Sequence, residues 1–322
     1  MLYLNEKNIN ELEKDWNNMI SVIEQTTECL RTSDYAQPIK PYLRFKNMLN
    51  RIIAMPAFVG GRTQKAGIKW IASFPENIGS GIPRAHSVLI LNNGETGIPE
   101  AIINTGLLSV IRTAAVSGSI IRAFDKARGL NNISIGIIGW GPIGKGHFDM
   151  VTNLLGDKIT KIYLYDLKPI NPDSIPRLHR DKVIITDCWQ DAYKHADIMI
   201  TCTVSKEPYI DGKPREGSLQ LNVSLRDYKT DIYEYVKNNI IVDDWDEVCR
   251  ENTDIEMLSI KKGLKKEQVK TIIDVICNDY FMNCSKTEPV MFNPMGMAVF
   301  DIAMGHYYLE KALNQKVGQI LE

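Results

Sequence analysis

Three charged side chains occupy positions where a charge is unusual and where chemistry would explain it. Lys69 lies inside an apolar run, residues 67–71, that predicts a strand. Arg112 interrupts the small, apolar face of a predicted helix, and Asp227 follows a predicted strand at residues 219–224. A buried charge is unfavourable unless it meets an opposite charge or a ligand. These three residues are therefore the first candidates for catalysis or substrate binding.

Each of these residues also has an ordinary structural explanation. Lys69 could be the solvent-facing position of an alternating strand, since exposed lysines are the rule. Arg112 could form a structural ion pair, or it could clamp a carboxylate through two parallel hydrogen bonds. Asp227 could cap a helix, or it could face a ligand at the carboxyl ends of parallel strands. Their residue types and spacing leave these alternatives open.

A glycine-rich stretch gives the strongest chemical signal in the chain. Residues 133–138 predict a buried strand, and the residues directly after them match the pattern G-x-G-x-x-G at the start of an amphipathic helix. Such a loop binds a dinucleotide pyrophosphate through its backbone and through the positive end of the helix. The cofactor-binding residues predicted here are Gly139, Trp140, Gly141, Pro142, Ile143 and Gly144.

An acidic residue follows this loop at the distance that is typical of NAD sites. The predicted strand 161–166 ends at Asp166, which is 22 residues after Gly144 (166 − 144). A carboxylate at this place accepts hydrogen bonds from the adenosine ribose and disfavours a 2′-phosphate, so the sequence predicts NAD rather than NADP. Thr203 ends a further predicted strand, and we expect it to face the cofactor because ligands bind at the carboxyl ends of parallel strands. Ser224, the last residue of the predicted strand 220–224, is also predicted to bind the cofactor.

The order of predicted elements places these residues in two domains. Residues before about 115 show a short strand at 3–4, a helix capped by Asn8, and strands at 51–55, 67–71, 87–91 and 100–103, which favours an antiparallel α+β domain. A long helix follows at 105–126. From residue 133, strands at 133–138, 161–166, 182–186, 197–203, 220–224 and 239–243 alternate with helices at 142–155, 187–195, 229–238 and 264–278. This alternation indicates a parallel sheet.

A final apolar helix at 298–314 packs most economically on the first domain. We therefore expect an α/β protein in which a Rossmann NAD-binding domain, residues 116–294, is inserted in an α+β substrate-binding domain, residues 1–115 and 295–322. The substrate cleft is expected between the two domains.

Composition argues against several classes of protein. The chain has 322 residues with 44% hydrophobic and 24% charged residues, which are ordinary globular values, and a net charge of −1 that predicts neither a nucleic-acid nor a membrane partner. The six cysteines show no metal-ligand spacing, so we expect no metal site and reduced thiols in a cytoplasmic protein. The N-terminus lacks a signal-peptide pattern, and no apolar run approaches the roughly 18 residues of a membrane span.

Six stretches of the sequence, taken together, are characteristic of one family: residues 51–56, 67–70, 112–117, 139–144, 200–204 and 222–227. On these stretches the chain resembles the ornithine cyclodeaminase/mu-crystallin family over essentially its whole length. Residues 37–44, 242–245 and 293–298 are similar to the family's N-(2-amino-2-carboxyethyl)-L-glutamate dehydrogenases, which make L-2,3-diaminopropionate for siderophores and peptide antibiotics.

The resemblance implies roles for individual residues. It implies that Lys69 and Asp227 are catalytic, and that the substrate-binding residues are Arg44, Met55, Lys69 and Arg112. It also implies cofactor contacts from Arg112, Thr113 and Thr203, and a homodimer formed through the N-terminal domain. Three features depart from the family pattern: His147, the missing glycine-rich stretch near 271–279, and Phe300, which is expected to lie nearer the substrate cleft than the other two.

The function implied is an NAD-dependent oxidative hydrolysis of N-(2-amino-2-carboxyethyl)-L-glutamate to L-2,3-diaminopropionate and 2-oxoglutarate. Asp227, paired with Lys69 across the cleft, is expected to accept the amine proton and activate water. The alternatives within the family are an ornithine cyclodeaminase and a ketimine reductase or amino-acid dehydrogenase. An alternative of another class is a nucleotide-binding protein of the mu-crystallin type with little turnover.

Overall fold

The structure, a computed structural model, describes residues 1–322 and divides into two compact units. The discontinuous unit comprises Met1–Val116 and Gly296–Glu322, and the inserted unit comprises Ser117–Met295. The fold class predicted from the sequence, an α/β protein with a Rossmann-type parallel sheet inserted in an α+β unit, is confirmed. The roles predicted for the two domains stay predictions.

The discontinuous unit is built on an eight-stranded mixed sheet. Seven strands follow one another in space in the order Gln319–Ile320, Leu2–Asn5, Pro99–Asn104, Ala85–Asn93, Lys65–Ser73, Arg51–Val59 and Tyr35–Ala36, and Tyr42–Leu43 also pairs with Arg51–Val59. Every pairing is antiparallel except that of Leu2–Asn5 with Pro99–Asn104. The predicted antiparallel α+β character of this region is thus confirmed.

Four helical segments belong to this unit. They are Glu6–Glu11, Trp16–Arg31, Ala298–Gln315 and the first part of Leu107–Arg128. Ala298–Gln315 packs on Trp16–Arg31 and on the three central strands, and its buried side chains include Ile302, Met304 and Leu309. Burial of each large apolar side chain contributes about 1.5–3 kcal/mol, so this helix is a main element of the core.

The prediction of one N-terminal helix capped by Asn8 is wrong. Asn5 caps the short helix Glu6–Glu11, with Asn8 as the reciprocal partner in a capping box, and Asp15 caps a second helix, Trp16–Arg31. Apolar residues at helical spacing continue across the break, with Leu12 and Trp16 both buried, and this continuity concealed the second cap.

The inserted unit is built on an eight-stranded parallel sheet. Its strands lie in the order Val183–Ile185, Ile159–Tyr165, Ile133–Ile138, Ile198–Thr201, Leu219–Asn222, Val290–Asn293, Ile240–Val242 and Lys270–Thr271. The first five have the Rossmann order 3-2-1-4-5, in which the strand order reverses between Ile133–Ile138 and Ile198–Thr201. A nucleotide binds at such a reversal, beyond the carboxyl ends of the two strands.

The helices of the inserted unit differ from prediction mainly in its second half. They are the second part of Leu107–Arg128, then Pro142–Leu155, Trp189–Lys194, Tyr233–Val236, Trp245–Val248, Asp254–Lys262 and Ile272–Ile276. The predicted helix at 264–278 is wrong, because that segment contains the edge strand Lys270–Thr271 and only the short helix Ile272–Ile276. The strand Val290–Asn293 and the helix Asp254–Lys262 were not predicted.

One helix, Leu107–Arg128, is long and apolar enough to cross a membrane by length and composition alone. Two thirds (67%) of its most apolar 18-residue stretch is buried inside the protein. Buried core helices meet the same criteria, so this one helix is weak evidence for a membrane span.

Candidate functional site

Lys69 is buried on the central strand Lys65–Ser73, with 3% of its surface exposed. The alternative of a solvent-facing position is therefore wrong. Met55 lies directly opposite Lys69 in the strand register and is also buried, so the structure brings together two residues that were predicted to bind substrate. Gly67, two residues before Lys69 on the same face of the strand, lies so close to Ile302 that a Cβ would be 2.9 Å from its Cδ1. Lys69 therefore points towards the helix Ala298–Gln315.

That helix supplies the partner of Lys69. Asp301, in its first turn, forms an ion pair with Lys69, with 2.7 Å between Oδ2 and Nζ. The other carboxylate oxygen accepts a hydrogen bond from Arg112 Nε at 2.8 Å. Arg112 thus forms the structural ion pair that was one of its two predicted explanations. The predicted role of Arg112 as a carboxylate clamp stays a prediction.

Burial and the neighbouring charges shift the pKa values of Lys69 and Asp301. Burial lowers the pKa of Lys69 to about 7, and the neighbouring Arg112 also lowers it, while Asp301 opposes both effects. Burial acts to raise the pKa of Asp301, but the charges of Arg112 and Lys69 outweigh it and the net shift is downward. At neutral pH, Asp301 is therefore ionised, and Lys69 can gain or lose a proton at little cost in free energy.

The remaining predicted residues of the discontinuous unit lie in different surroundings. Arg44 is half-buried on the segment after Tyr42–Leu43, where its guanidinium lies 5.5 Å from the centre of the Tyr42 ring and donates to the Met48 carbonyl oxygen at 3.1 Å. Thr113 follows Arg112 on the helix Leu107–Arg128, and its hydroxyl donates to the Ser109 carbonyl oxygen at 2.7 Å. The roles of Arg44 in substrate binding and of Thr113 in cofactor binding stay predictions.

Asp227, in the inserted unit, is fully buried and held by hydroxyl groups. Thr203 Oγ1 donates to its Oδ1 at 2.5 Å, and Ser224 Oγ donates to its Oδ2. The structure therefore brings the predicted catalytic carboxylate together with two residues predicted to contact the cofactor. Burial raises the pKa of Asp227, and the hydroxyl groups only partly offset that rise. A carboxylate with a raised pKa is a better proton acceptor near neutral pH than an ordinary aspartate.

The loop that carries Asp227 is fixed by a second buried acid. Asp254 Oδ2 accepts hydrogen bonds from the backbone N–H groups of Asp227 and Tyr228, both at 3.2 Å, and from Asn222 Nδ2 at 2.9 Å. Burial raises the pKa of Asp254 to about 7.

Asp227 does not cap a helix, so the alternative explanation predicted for it is wrong. Its backbone carbonyl accepts from two N–H groups, one of them that of Tyr209 at 2.9 Å.

The glycine-rich loop has the geometry that dinucleotide binding requires. Gly139 has φ = +101°, and a Cβ there would lie 2.6 Å from the Cys202 carbonyl oxygen. A Cβ at Gly144 would lie 1.9 Å from the carbonyl oxygen of Gly139, so helix and strand approach too closely for any side chain. A Cβ at Gly141 would meet no atom within 4 Å. Gly141 therefore leaves open space in front of the uncapped helix Pro142–Leu155, where a phosphate can approach the backbone.

Asp166 anchors the same loop. Its Oδ2 accepts from the backbone N–H of Trp140 at 2.6 Å, and its Oδ1 accepts from that of Lys168 at 2.9 Å. Each carboxylate oxygen can accept a further hydrogen bond, so Asp166 retains capacity for two ribose hydroxyls. The indole of Trp140 is fixed by Ser174 Oγ at 2.8 Å. The residues present therefore fit an NAD molecule, although the contact of each one with it stays a prediction.

Comparison with known proteins defines the family. The family model described as "Ornithine cyclodeaminase/mu-crystallin family" matches residues 5–316. The N-((2S)-2-amino-2-carboxyethyl)-L-glutamate dehydrogenase of Staphylococcus aureus is 31% identical over 336 aligned residues, which cover 100% of this chain and 98% of that protein. The chain belongs to this family. Its predicted class, an NAD-dependent oxidoreductase acting on CH–NH bonds, is confirmed at the level of the family.

Two solved structures show the same fold. The Δ(1)-pyrroline-2-carboxylate reductase of Thermococcus litoralis, in complex with NADH and L-proline, has a TM-score of 0.87 at 22% identity and covers 100% of both chains. An archaeal alanine dehydrogenase dimer with bound NAD has a TM-score of 0.84 at 23% identity, covering 100% of this chain and 99% of the other. At these identities the likeness shows the fold and leaves the substrate of this family member open.

Sequence reasoning missed two residues that the structure places at these sites. Asp301 is a lone acid in the apolar start of a helix. A charge in apolar surroundings is the signal that identified Lys69 and Arg112, and it could have identified Asp301 as well, but only its neighbour Phe300 was noted in the sequence. Phe300 is fully buried on that helix. Asp254 follows Thr253, the N-cap of its helix, and an acid in the first turn is expected there because it interacts favourably with the positive end of the helix. Only the fold reveals its contact with the loop that carries Asp227.

Proposed function

We propose that this protein catalyses the NAD-dependent oxidative hydrolysis of N-(2-amino-2-carboxyethyl)-L-glutamate to L-2,3-diaminopropionate and 2-oxoglutarate. The observation that carries the proposal is the 31% identity, over all of this chain, with the S. aureus enzyme of that name. The buried cationic groups of the discontinuous unit support it, because the substrate is rich in carboxylates. NAD⁺, when bound, accepts the hydride from the glutamate-side Cα.

The residues of the discontinuous unit are proposed to bind and orient the substrate. The terminal nitrogens of Arg112 would bind one carboxylate in a bidentate manner, and Arg44 would bind another. Lys69, next to Arg112, would donate to the same end of the substrate, while Met55 packs against its carbon chain. Fixing two carboxylates sets the direction of the Cα–H bond, and correct orientation accounts for a large part of enzymatic rate enhancement.

Asp227 is proposed to accept the proton of the secondary amine and then to activate the water that hydrolyses the imine. Its raised pKa favours this role, and Thr203 and Ser224 keep the carboxylate in one orientation. The pairing of Asp227 with Lys69 that the sequence suggested stays a prediction. We propose cofactor contacts from Arg112, Thr113, Thr203 and Ser224 on the same basis of family resemblance.

The test is an assay of purified protein with NAD⁺ and a panel of amines, following NADH by its absorbance and the products by mass spectrometry. The panel holds N-(2-amino-2-carboxyethyl)-L-glutamate, ornithine, alanine and a saccharopine-type secondary amine. NADH and 2-oxoglutarate from the first amine alone support the proposal. Proline and ammonia from ornithine would instead identify a cyclodeaminase, and turnover of alanine an amino-acid dehydrogenase. NAD⁺ binding without turnover of any amine would identify a binding protein of the mu-crystallin type.

We also propose a homodimer, a cytoplasmic location and a role in making a siderophore or peptide antibiotic. All six cysteines are unpaired, as in a reducing compartment. The discontinuous unit exposes several large apolar side chains, among them Trp70, Ile78 and Ile82 with 43%, 46% and 48% of their surface exposed, and a dimer interface would cover such a surface. Sedimentation velocity measures the oligomeric state directly.

A further inference from the structure

Three charged groups of the discontinuous unit share one buried position, although they lie far apart in sequence. Lys69 Nζ is 2.7 Å from Asp301 Oδ2, and Arg112 Nε is 2.8 Å from Asp301 Oδ1. The residues are exposed by 3%, 6% and 1% for Lys69, Arg112 and Asp301. They come from a strand, from the helix Leu107–Arg128 and from the helix Ala298–Gln315, so the carboxylate connects three elements of the core.

Gly296 holds the same arginine from another direction. It has φ = +87°, and a Cβ at this position would lie 2.8 Å from Arg112 Nη1. Its carbonyl oxygen accepts a hydrogen bond from the buried Lys40 Nζ at 2.7 Å. The segment from Gly296 to Asp301 therefore contacts Arg112 both sterically and electrostatically.

Without Asp301, this arrangement would be unfavourable. Two cations buried side by side repel each other strongly where water is excluded, and each has lost most of its hydration. Lysine can relieve the repulsion by losing its proton or by turning away, whereas arginine keeps its charge. A carboxylate that contacts both cations opposes both responses.

We propose that Asp301 is a positioning residue of the substrate site: its carboxylate holds the Lys69 ammonium and the Arg112 guanidinium side by side, and so presents two cationic donors to the carboxylates of the substrate. The inference rests on the proposed function for the identity of that substrate. It adds Asp301 to the residues of that site, and Asp301 acts through Lys69 and Arg112 without itself having to contact the substrate. Burial lowers the pKa of Lys69 and Asp301 opposes that effect, which agrees with the proposed role.

The test is the titration of Lys69 in the intact protein without substrate. Protein labelled with ¹⁵N-lysine gives ammonium signals by NMR, and Lys69→Arg identifies the signal of Lys69. In Asp301→Asn we expect the pKa of Lys69 to fall by about one unit or more, because an opposite charge at contact distance is lost. We also expect kcat/KM to fall by about 10²-fold, the effect of a misplaced binding group, mainly through a higher KM for the amine.

Two further variants separate positioning from general damage. Asp301→Glu keeps the negative charge. In this variant the pKa of Lys69 and kcat/KM should both lie closer to the parental values than in Asp301→Asn. Glu100→Gln removes an ion pair of the same length but greater exposure on the same sheet, 2.7 Å between Glu100 and Lys65, and should leave the Lys69 titration and kcat/KM unchanged. A folded Asp301→Asn protein in which Lys69 titrates as in the parent would overturn the proposal.

The parent protein provides the test if Asp301→Asn does not fold. With ¹³C-labelled aspartate carboxyls, the Asp301 signal, assigned through Asp301→Glu, must move with the midpoint of the Lys69 titration. An Asp301 signal that is indifferent to Lys69 would also overturn the proposal. Because these titrations need no substrate, a normal Lys69–Asp301 coupling with no turnover of the proposed amine would refute the proposed function and leave the positioning role in place.

Discussion

Two glycines of the same loop should respond in opposite ways to the same substitution. A methyl group at Gly141 meets no atom within 4 Å, and the residue has an ordinary extended backbone (φ −77°, ψ −172°). Gly141→Ala should therefore fold as well as the parent, or more stably by about 0.4–1 kcal/mol, because alanine restricts the unfolded chain. The added methyl occupies the space that the phosphates need, so we expect the loss of at least one hydrogen bond between the backbone and a phosphate. Loss of one hydrogen bond to a charged group costs about 1.5–3 kcal/mol, so the NAD dissociation constant should rise by about 10- to 150-fold.

Gly144→Ala should instead damage the fold. Its Cβ would lie 1.9 Å from the Gly139 carbonyl oxygen, whereas real Cβ atoms essentially never approach within 3.0 Å, so the helix and the turn at Gly139 must separate by about 1.1 Å (3.0 − 1.9). Overpacking of this kind costs about 1–3 kcal/mol. Urea unfolding gives the stability of each variant, and calorimetric titration with NAD gives the affinity.

Gly212→Ala is the matched control for both variants. It lies in the inserted unit, and its Cβ would be in ordinary contact, 3.4 Å from the Tyr193 ring. It should change neither the affinity for NAD nor, by more than a few tenths of a kcal/mol, the stability. Parental affinity for NAD in a folded Gly141→Ala protein would refute the proposed position of the pyrophosphate.

The other three predictions concern acidic residues. Asp227→Asn should lower kcat by about 10²–10⁴-fold, the usual contribution of one acid–base group, with little change in NAD affinity, and a near-normal rate would remove Asp227 from the mechanism. Asp166→Ser should reduce the preference for NAD over NADP by at least about tenfold, measured as the ratio of the two dissociation constants, because the carboxylate that repels a 2′-phosphate is gone. The pKa of Asp254 is raised to about 7 in the folded protein, so this protein keeps a proton that the unfolded chain releases above about pH 4. The contribution of Asp254 to stability should therefore be greatest at low pH and fall, by an order of 2–4 kcal/mol, as the pH rises from about 4 to about 7. Burial lowers the pKa of His147 to about 4, which gives a contribution of opposite sign over the same range. The effect of Asp254 is therefore measured as the pH dependence of the difference in stability between the parent and Asp254→Asn in urea unfolding curves.

The parts of the site that depend on neighbouring residues were predictable from the sequence. The glycine-rich loop lies between a strand and a helix that adjoin it in the chain, and Asp166 ends the next strand, so local pattern located all of them. The apolar residues on both sides of Lys69 predicted its strand, but they left open whether its side chain is buried or faces solvent. In each case the deciding forces act within one element or between consecutive elements.

Contacts between distant elements were not predictable in this way. Asp301 is 232 residues from Lys69 (301 − 69), and their contact depends on how the last helix packs on the sheet. Asp254 reaches the backbone of Asp227 only because its helix begins beside that loop. The sequence also suggested one helix where Asn5 and Asp15 cap two, since each cap is a polar contact that apolar periodicity does not reveal.

The split of the discontinuous unit has a consequence for its synthesis. At roughly 5–20 residues per second, the ribosome needs about 10–40 s after residue 116 to reach residue 322. During that interval the inserted unit can fold from contiguous chain. The central strands still lack the helix Ala298–Gln315, Leu2–Asn5 lacks its neighbour Gln319–Ile320, and Lys69 and Arg112 lack their shared counter-charge. We therefore expect the nascent chain to expose an apolar sheet face until residues 298–320 emerge, and to be prone to aggregation during that interval.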